Sequence, residues 1–342
     1  IMLNTVYQLK RPRQFEAVFK NVELDDKHVL IRPTYLSICN ADQRYYQGTR
    51  NKEILKEKLP MALVHEGIGR VICDPTETFK VGTDVIIIPN IPVETDEIIA
   101  ENYLYSSRFC SSNEDGFLQE FIQTRPDRLL RLPEGINPSV AAFTELVSVS
   151  YHAVERFNKL AHARRDIIGV WGDGNLSFVT ALLLKKRFSD SQIYVFGKHR
   201  QKIAEFTFAD KTFEITEIPE KTEVDHAFEC VGGNGAPRAI SQIIDHIRPE
   251  GTISILGVTE DPAPINTRMI LEKGLVIQGS SRSGRKDYED LLSMYKRYPE
   301  IIDYLENIVG EQVKVRTIDD IVRAFEKDIY KPSGKTIIIW DK

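Results

Sequence analysis

Residues 166–188 restrict the fold more than any other stretch of the chain. Asp166-Ile-Ile-Gly-Val-Trp171 runs into Gly172-Asp173-Gly174-Asn175-Leu176-Ser177, and apolar residues then recur at helical spacing as far as Phe188. A short apolar run ending in a turn reads as a buried strand, and the periodic segment behind it as a helix. Glycines at such a junction suit a dinucleotide. The first makes the tight turn, the second lets a pyrophosphate approach the backbone, and the helix N-terminus faces the phosphate charge. Ser177 stands where a third glycine is usual, and it is small enough to keep helix and strand close. Further strands at 193–196, 225–230 and 252–256 alternate with helices at 201–208 and 236–247. That alternation predicts an α/β domain, a doubly wound parallel sheet with helices on both faces, over residues 149–280.

The end of the second strand selects the cofactor. An NAD site places Asp or Glu about 20 residues past the glycines, to take the ribose hydroxyls. This chain has Gly197-Lys198-His199-Arg200 there, with Lys202 close behind. Glycine leaves room and the cations can pair with a 2′-phosphate, so NADPH is expected over NADH. A solvated basic turn would read the same in isolation; the glycine loop upstream favours the cofactor. The expected contacts are Gly172, Gly174, Asn175, Leu176, Gly197, Lys198, His199, Arg200 and Lys202.

Around this domain the texture differs. Residues 1–148 hold short β-like runs at 29–33, 67–73, 85–89 and 117–123 without a strand–helix rhythm. Residues 281–342 read as a helical stretch at 288–305, a helix at 318–327 and a last strand at 335–340. A net charge of −5 argues against nucleic acid as a partner. No apolar run reaches the roughly 18 residues of a membrane span. Ile1-Met2-Leu3-Asn4 shows no basic-then-apolar signal pattern, and the four cysteines are dispersed, so reduced thiols in a cytoplasmic setting are expected.

Cys39, His65, Glu66 and Glu145 offer thiolate, imidazole and carboxylate, all zinc ligands, and a catalytic zinc takes about three protein ligands plus an open position. A free cysteine, a core histidine and surface carboxylates would account for the same residues, and spacing alone leaves both open. The segments Cys39-Asn-Ala-Asp42 and His65-Glu66-Gly67-Ile-Gly69 resemble, in order and spacing, those of the zinc-containing medium-chain alcohol and polyol dehydrogenases. The resemblance continues through Glu145, the glycine loop, Glu229-Cys230-Val231-Gly232-Gly233, Pro249-Glu250-Gly251 to Gly257, and Gly334-Lys335-Thr336. It implies a β-rich, GroES-like catalytic domain (residues 1–148, completed by 281–342) beside a Rossmann NADP-binding domain. It also implies further cofactor contacts at Cys230, Val231, Gly232, Leu256 and Gly257. Asp42 would orient His65, with Glu66 or Glu145 ligating zinc directly or through water.

Two departures stand out. Ala41 replaces the hydroxyl that starts the usual proton relay, leaving zinc-bound water near Glu145, or Tyr45 or Tyr46, to supply the proton. The lobe that carries a four-cysteine structural zinc in many relatives holds only Cys110, so one catalytic zinc per subunit and no structural zinc are expected. Val6-Tyr7-Gln8-Leu9, Pro12 to Glu16, Ser37 to Tyr46 and Gly279-Ser-Ser-Arg-Ser-Gly284 are similar to the ribulose-5-phosphate reductase group, which feeds CDP-ribitol synthesis for wall teichoic acid and capsule. Arg44, Tyr46 and Arg282 are then expected at the pentulose phosphate. By analogy the resemblance also implies a homodimer, and possible coupling to a ribitol-5-phosphate cytidylyltransferase. An NADP-linked dehydrogenase of a free polyol is the alternative. A zinc-free quinone reductase or a non-catalytic NADPH-binding protein is disfavoured by Cys39, Glu66 and Glu145.

Overall fold

The structure, a computed structural model, describes residues 2–342; Ile1 lies outside the described residues. The chain forms two compact units, one running up to Glu145 and resuming at Ser283–Lys342, the other Leu146–Arg282.

The first unit opens with an antiparallel hairpin, Met2–Arg11 with Gln14–Val22, turning at Pro12-Arg13. Its larger sheet is ordered Leu129–Arg131, Asp84–Ile87, Glu66–Cys73, Val29–Ser37, Lys335–Trp340 and Val309–Val315. Lys335–Trp340 is thus inserted among strands made some 300 residues earlier, antiparallel to Val29–Ser37 and parallel to Val309–Val315. Leu9, Ile31, Leu36, Phe117 and Phe325 fill the core beneath it.

The second unit is a six-stranded, wholly parallel sheet. Its order is Lys211–Glu214, Gln192–Gly197, Ile167–Trp171, His226–Glu229, Thr252–Ile255, Val276–Gly279. Numbered along the chain this is 3-2-1-4-5-6, the doubly wound order whose reversal point lies between strands 1 and 4. The helix Asn175–Arg187 is buried from Ser177 to Leu184 and ends in Lys185, Lys186 and Arg187, cations that suit the negative end of its dipole.

Three expectations need correction. The helix expected at 201–208 stops at Ile203, because Phe206 and Phe208 both turn in against Phe178, at 5.2 and 5.1 Å between ring centroids. Residues two apart on a helix face different ways and could not both do so. The stretch 288–305 is two helices, Arg285–Arg297 and Glu300–Glu306, divided at Pro299, which has no N–H to continue the first. Of 117–123 only Ile122 and Gln123 join a strand, Ile122–Thr124. Gly116, Phe117 and Leu118 instead give their N–H groups to the carbonyls of Ala62, Val64 and Leu63, just before His65.

Candidate active site

In the first unit, sheet register assembles the metal candidates. Ser37 pairs with Glu66 on one side and Ile337 on the other, so Cys39, His65, Glu66 and Lys335 emerge at the same end of three neighbouring strands. The ligand atoms of Cys39, His65 and Glu66 all lie within 4.8 Å of one another. His65 Nδ1 faces Asp42 Oδ1 at 3.5 Å and Glu66 Oε2 faces Lys335 Nζ at 2.9 Å, so two of the three donors are each held by a charged neighbour. Soft thiolate, imidazole and carboxylate together make a zinc donor set.

Asp42 ties the loops around these residues together. Its Oδ2 accepts the Cys39 N–H at 3.0 Å. Its Oδ1 accepts the Val64 N–H at 2.9 Å and the Ser111 hydroxyl at 2.7 Å, and stands 3.5 Å from His65 Nδ1. Val64, fully buried, is held at φ 73°, a left-handed backbone that a β-branched residue adopts only when its surroundings force it. The Asp42 bond to its N–H, and the Phe117 N–H on its carbonyl, supply that force and aim the next residue, His65. Burial opposes a charged His65, yet Asp42 and Cys39 beside it raise its pKa well above the ordinary value.

Sequence reasoning missed two partners here. Ser111 is one. The other is Lys335, whose buried ammonium donates to Glu66 Oε1 and the Ile38 carbonyl, each at 2.9 Å. Only the resemblance of Gly334-Lys335-Thr336 signalled it. Glu145 lies in the first turn of the helix Thr144–Leu160 and is buried. Desolvation pushes its carboxyl up, His65 pulls it down and Glu66 adds to the rise, leaving it at about 7.

The remaining expected residues scatter. Tyr45 is buried with the Arg50 guanidinium 4.7 Å from its ring centre. Tyr46 is a correction: its hydroxyl donates to Glu326 at 2.7 Å and its ring packs on Phe15 and Phe325, so it is core, with its proton committed away from the cluster. Arg44 lies in the helix Asn40–Tyr46, about 200° around the axis from Asp42. Arg282 belongs to the second unit, half-buried at φ 58°, past the strand Val276–Gly279.

In the second unit a cavity of about 580 Å³ opens at the reversal point of the sheet, lined by Gly172, Gly174, Gly197, Lys198, His199, Cys230 and Val231 among others. Gly172 is at φ 135°, and a Cβ there would lie 2.1 Å from Ser177 Oγ; the small third residue and the glycine are fitted to each other. Gly174 has nothing within 4 Å of a would-be Cβ and precedes a helix with no side-chain cap, so open space and unsatisfied N–H groups meet where a pyrophosphate would bind. Asn175 and Leu176 form that first turn.

Gly197 corrects the expectation of room for a phosphate. A Cβ there would strike Ile203 at 2.3 Å and Asp173 at 2.8 Å, so this glycine exists to let Asp173 lie against the strand end. Asp173 Oδ2 accepts the N–H groups of Lys198 and His199, at 2.9 and 2.8 Å, and pairs with His199 Nδ1 at 2.9 Å. Arg200 is bound to Glu214 at 2.5 Å, and neither it nor Lys202 lines the cavity. Glu229, buried, accepts the N–H groups of Val231 and Gly232 at 2.8 Å and of Gly257 at 3.1 Å. Gly232, Leu256 and Gly257 therefore shape the rim around Glu229 without lining the cavity.

Comparison with known proteins fits this geometry. The zinc-binding dehydrogenase family pattern matches residues 198–297, and that of the alcohol dehydrogenase GroES-like domain matches 25–134. The chain is 54% identical to the ribulose-5-phosphate reductase of Bacillus spizizenii, covering 99% of this chain and 100% of that one. It is 50% identical to ribulose-5-phosphate reductase 1 of Staphylococcus aureus, over 99% of each. The crystal structure of S. aureus TarJ in complex with NADPH superposes with a TM-score of 0.89 at 45% identity, over the full length of both chains.

Proposed function

The chain belongs to the ribulose-5-phosphate reductases of the zinc-binding dehydrogenase family, and from that premise we propose that it reduces D-ribulose 5-phosphate to D-ribitol 5-phosphate with NADPH. The observation that carries this reading is the identity of 54%, end to end, with a reductase named for that substrate. The NADPH-bound relative and the glycine-lined cavity support the cofactor.

Cys39, His65 and Glu66 would hold one zinc per subunit, with Glu145 beside them. Zinc when bound polarises the substrate carbonyl as a Lewis acid, and NADPH supplies the hydride to its carbon. Asp42 fixes the imidazole of His65. Lys335 balances the buried charge of Glu66. Because Ala41 has no hydroxyl and Tyr46 is committed to Glu326, Glu145 is assigned the proton that the product oxygen requires, with Tyr45 the remaining phenol. Arg44 and Arg282 are assigned to the substrate phosphate, which Arg forks hold well.

A homodimer formed through the edge strand Val276–Gly279 fits its exposed Val276 and Ile277, since an unpaired apolar edge invites a second copy. A cytoplasmic enzyme, supplying a cytidylyltransferase that consumes ribitol 5-phosphate for teichoic acid or capsule, completes the reading. Among the described residues no helix is long and apolar enough to cross a membrane.

The test is a steady-state comparison of D-ribulose 5-phosphate and D-ribulose, each with NADPH and NADH, with zinc measured on the same sample. Comparable efficiency on the two sugars overturns the substrate; protein without zinc overturns the metal.

A further inference from the structure

Of Lys198 and Arg200, the cations that the second-strand turn designates, only Lys198 lines the nucleotide cavity. Arg200 is occupied, with its Nε on Glu214 and a terminal nitrogen 3.7 Å from Glu217, and it does not line the cavity. His199 is paired with Asp173. Two lining cations have side chains with no hydrogen bond or ion pair among the described residues: Lys198 and Arg238. They come from different walls. Lys198 follows strand Gln192–Gly197, and Arg238 lies in the first turn of helix Ala236–His246, which follows strand His226–Glu229. Those two strands flank Ile167–Trp171 in the sheet, so the two side chains stand on either side of the glycine loop.

We propose that Arg238, together with Lys198, binds the 2′-phosphate of NADPH and sets the preference over NADH, a role the sequence pattern gives to Arg200. This rests on the NADPH reading above. A phosphate monoester brings up to about two negative charges. The cavity wall also holds the carboxylate of Asp173, which accepts the Lys198 and His199 N–H groups. One lysine does not balance that arrangement, and a second cation does. A guanidinium adds the planar fork that holds two phosphate oxygens at once. Arg238 is exposed, so it reaches the phosphate without breaking an internal bond, whereas Arg200 would first have to leave Glu214.

The experiment measures dissociation constants by nucleotide fluorescence and calorimetry, on zinc-loaded protein, for NADPH, NADH, 2′,5′-ADP and ADP. Arg238→Ala is expected to weaken NADPH and 2′,5′-ADP by about 10-fold or more, the size of a lost charge-assisted pair, while NADH and ADP stay within about twofold. Arg238→Lys should recover part of the loss, keeping charge without the fork. Equal weakening of all four nucleotides would place Arg238 on the adenine or pyrophosphate and overturn the assignment. So would an unchanged NADPH affinity in Arg238→Ala with a large loss in Arg200→Ala. If the parent protein binds NADPH no better than NADH, the cofactor reading itself falls, and this assignment with it.

Discussion

The nucleotide cavity draws every lining residue from 171–242, whereas the metal cluster and its supports need residues 39, 42, 65, 66, 111, 145 and 335. One is shaped by missing side chains and free N–H groups at strand ends. The other is shaped by buried charges that must find partners across about 300 residues of chain. A cradle of backbone tolerates its ligand's absence, because open N–H groups there face space that water can enter. A buried charge cluster tolerates little, because a carboxylate or ammonium left alone in the interior costs several kcal/mol. Errors in the two sites should therefore have different reach.

The strongest test of that difference is Cys39→Ser. It should cost roughly 10³-fold or more in kcat/KM on ribulose 5-phosphate and abolish stoichiometric zinc, while NADPH binding stays within about twofold. A parallel loss of NADPH affinity would break the separation of the two sites.

Next in size is Lys335→Met, which strands the Glu66 carboxylate and should destabilise the first unit by about 3–5 kcal/mol. The two tryptophans read the units independently, Trp171 in the second and Trp340 in the first. Denaturant unfolding in a Trp171→Phe background should show the loss, and in a Trp340→Phe background should not. Adding Glu66→Gln should restore much of it.

The second unit has a buried titrating group of its own. His226 Nδ1 accepts the Thr252 N–H at 3.1 Å and its Nε2 donates to the Arg164 carbonyl at 2.9 Å. Burial, with His162 close by, lowers its pKa from 6.5 to about 4. Between those values the unfolded chain binds a proton that the folded one refuses. Stability followed by Trp171 should thus rise with pH from about 4 to about 6.5 by about 2–3 kcal/mol, then level off. His226→Asn should flatten that rise; an unaltered slope would assign it to other groups.

Gly172→Ala combines a left-handed φ with the Ser177 clash, and should weaken NADPH and NADH alike by about 10- to 100-fold with zinc content unchanged. The smallest effect is expected from Arg200→Ala, under about threefold on NADPH, since its guanidinium already belongs to Glu214. A loss as large as that of Arg238→Ala would return the phosphate to the turn.

These contrasts also decide what could be read beforehand. The glycine loop, its strand and its helix were legible because their whole logic lies within some twenty residues. Zinc candidates were legible only through matched segments, since no spacing joins Cys39 to His65. Lys335 and Ser111 gave no local signal of their own, because sheet register and a loop crossing bring them in. Tyr46 and Gly197 were misjudged for one reason. Nearness to a site in sequence does not make a residue face it, and Phe325 and Asp173 occupy those directions.

The position of Lys335–Trp340 bears on how the protein is made. The nucleotide unit is a single uninterrupted stretch, complete on a ribosome before Ser283–Lys342 is made, and domains of that kind fold as they emerge. The first unit cannot follow, because the strand that neutralises Glu66 is the last described element to be translated. A newly made chain therefore acquires its nucleotide cavity first and closes its metal site last. A message truncated before codon 335 would yield a protein that still binds nucleotide yet lacks the cation that Glu66 requires.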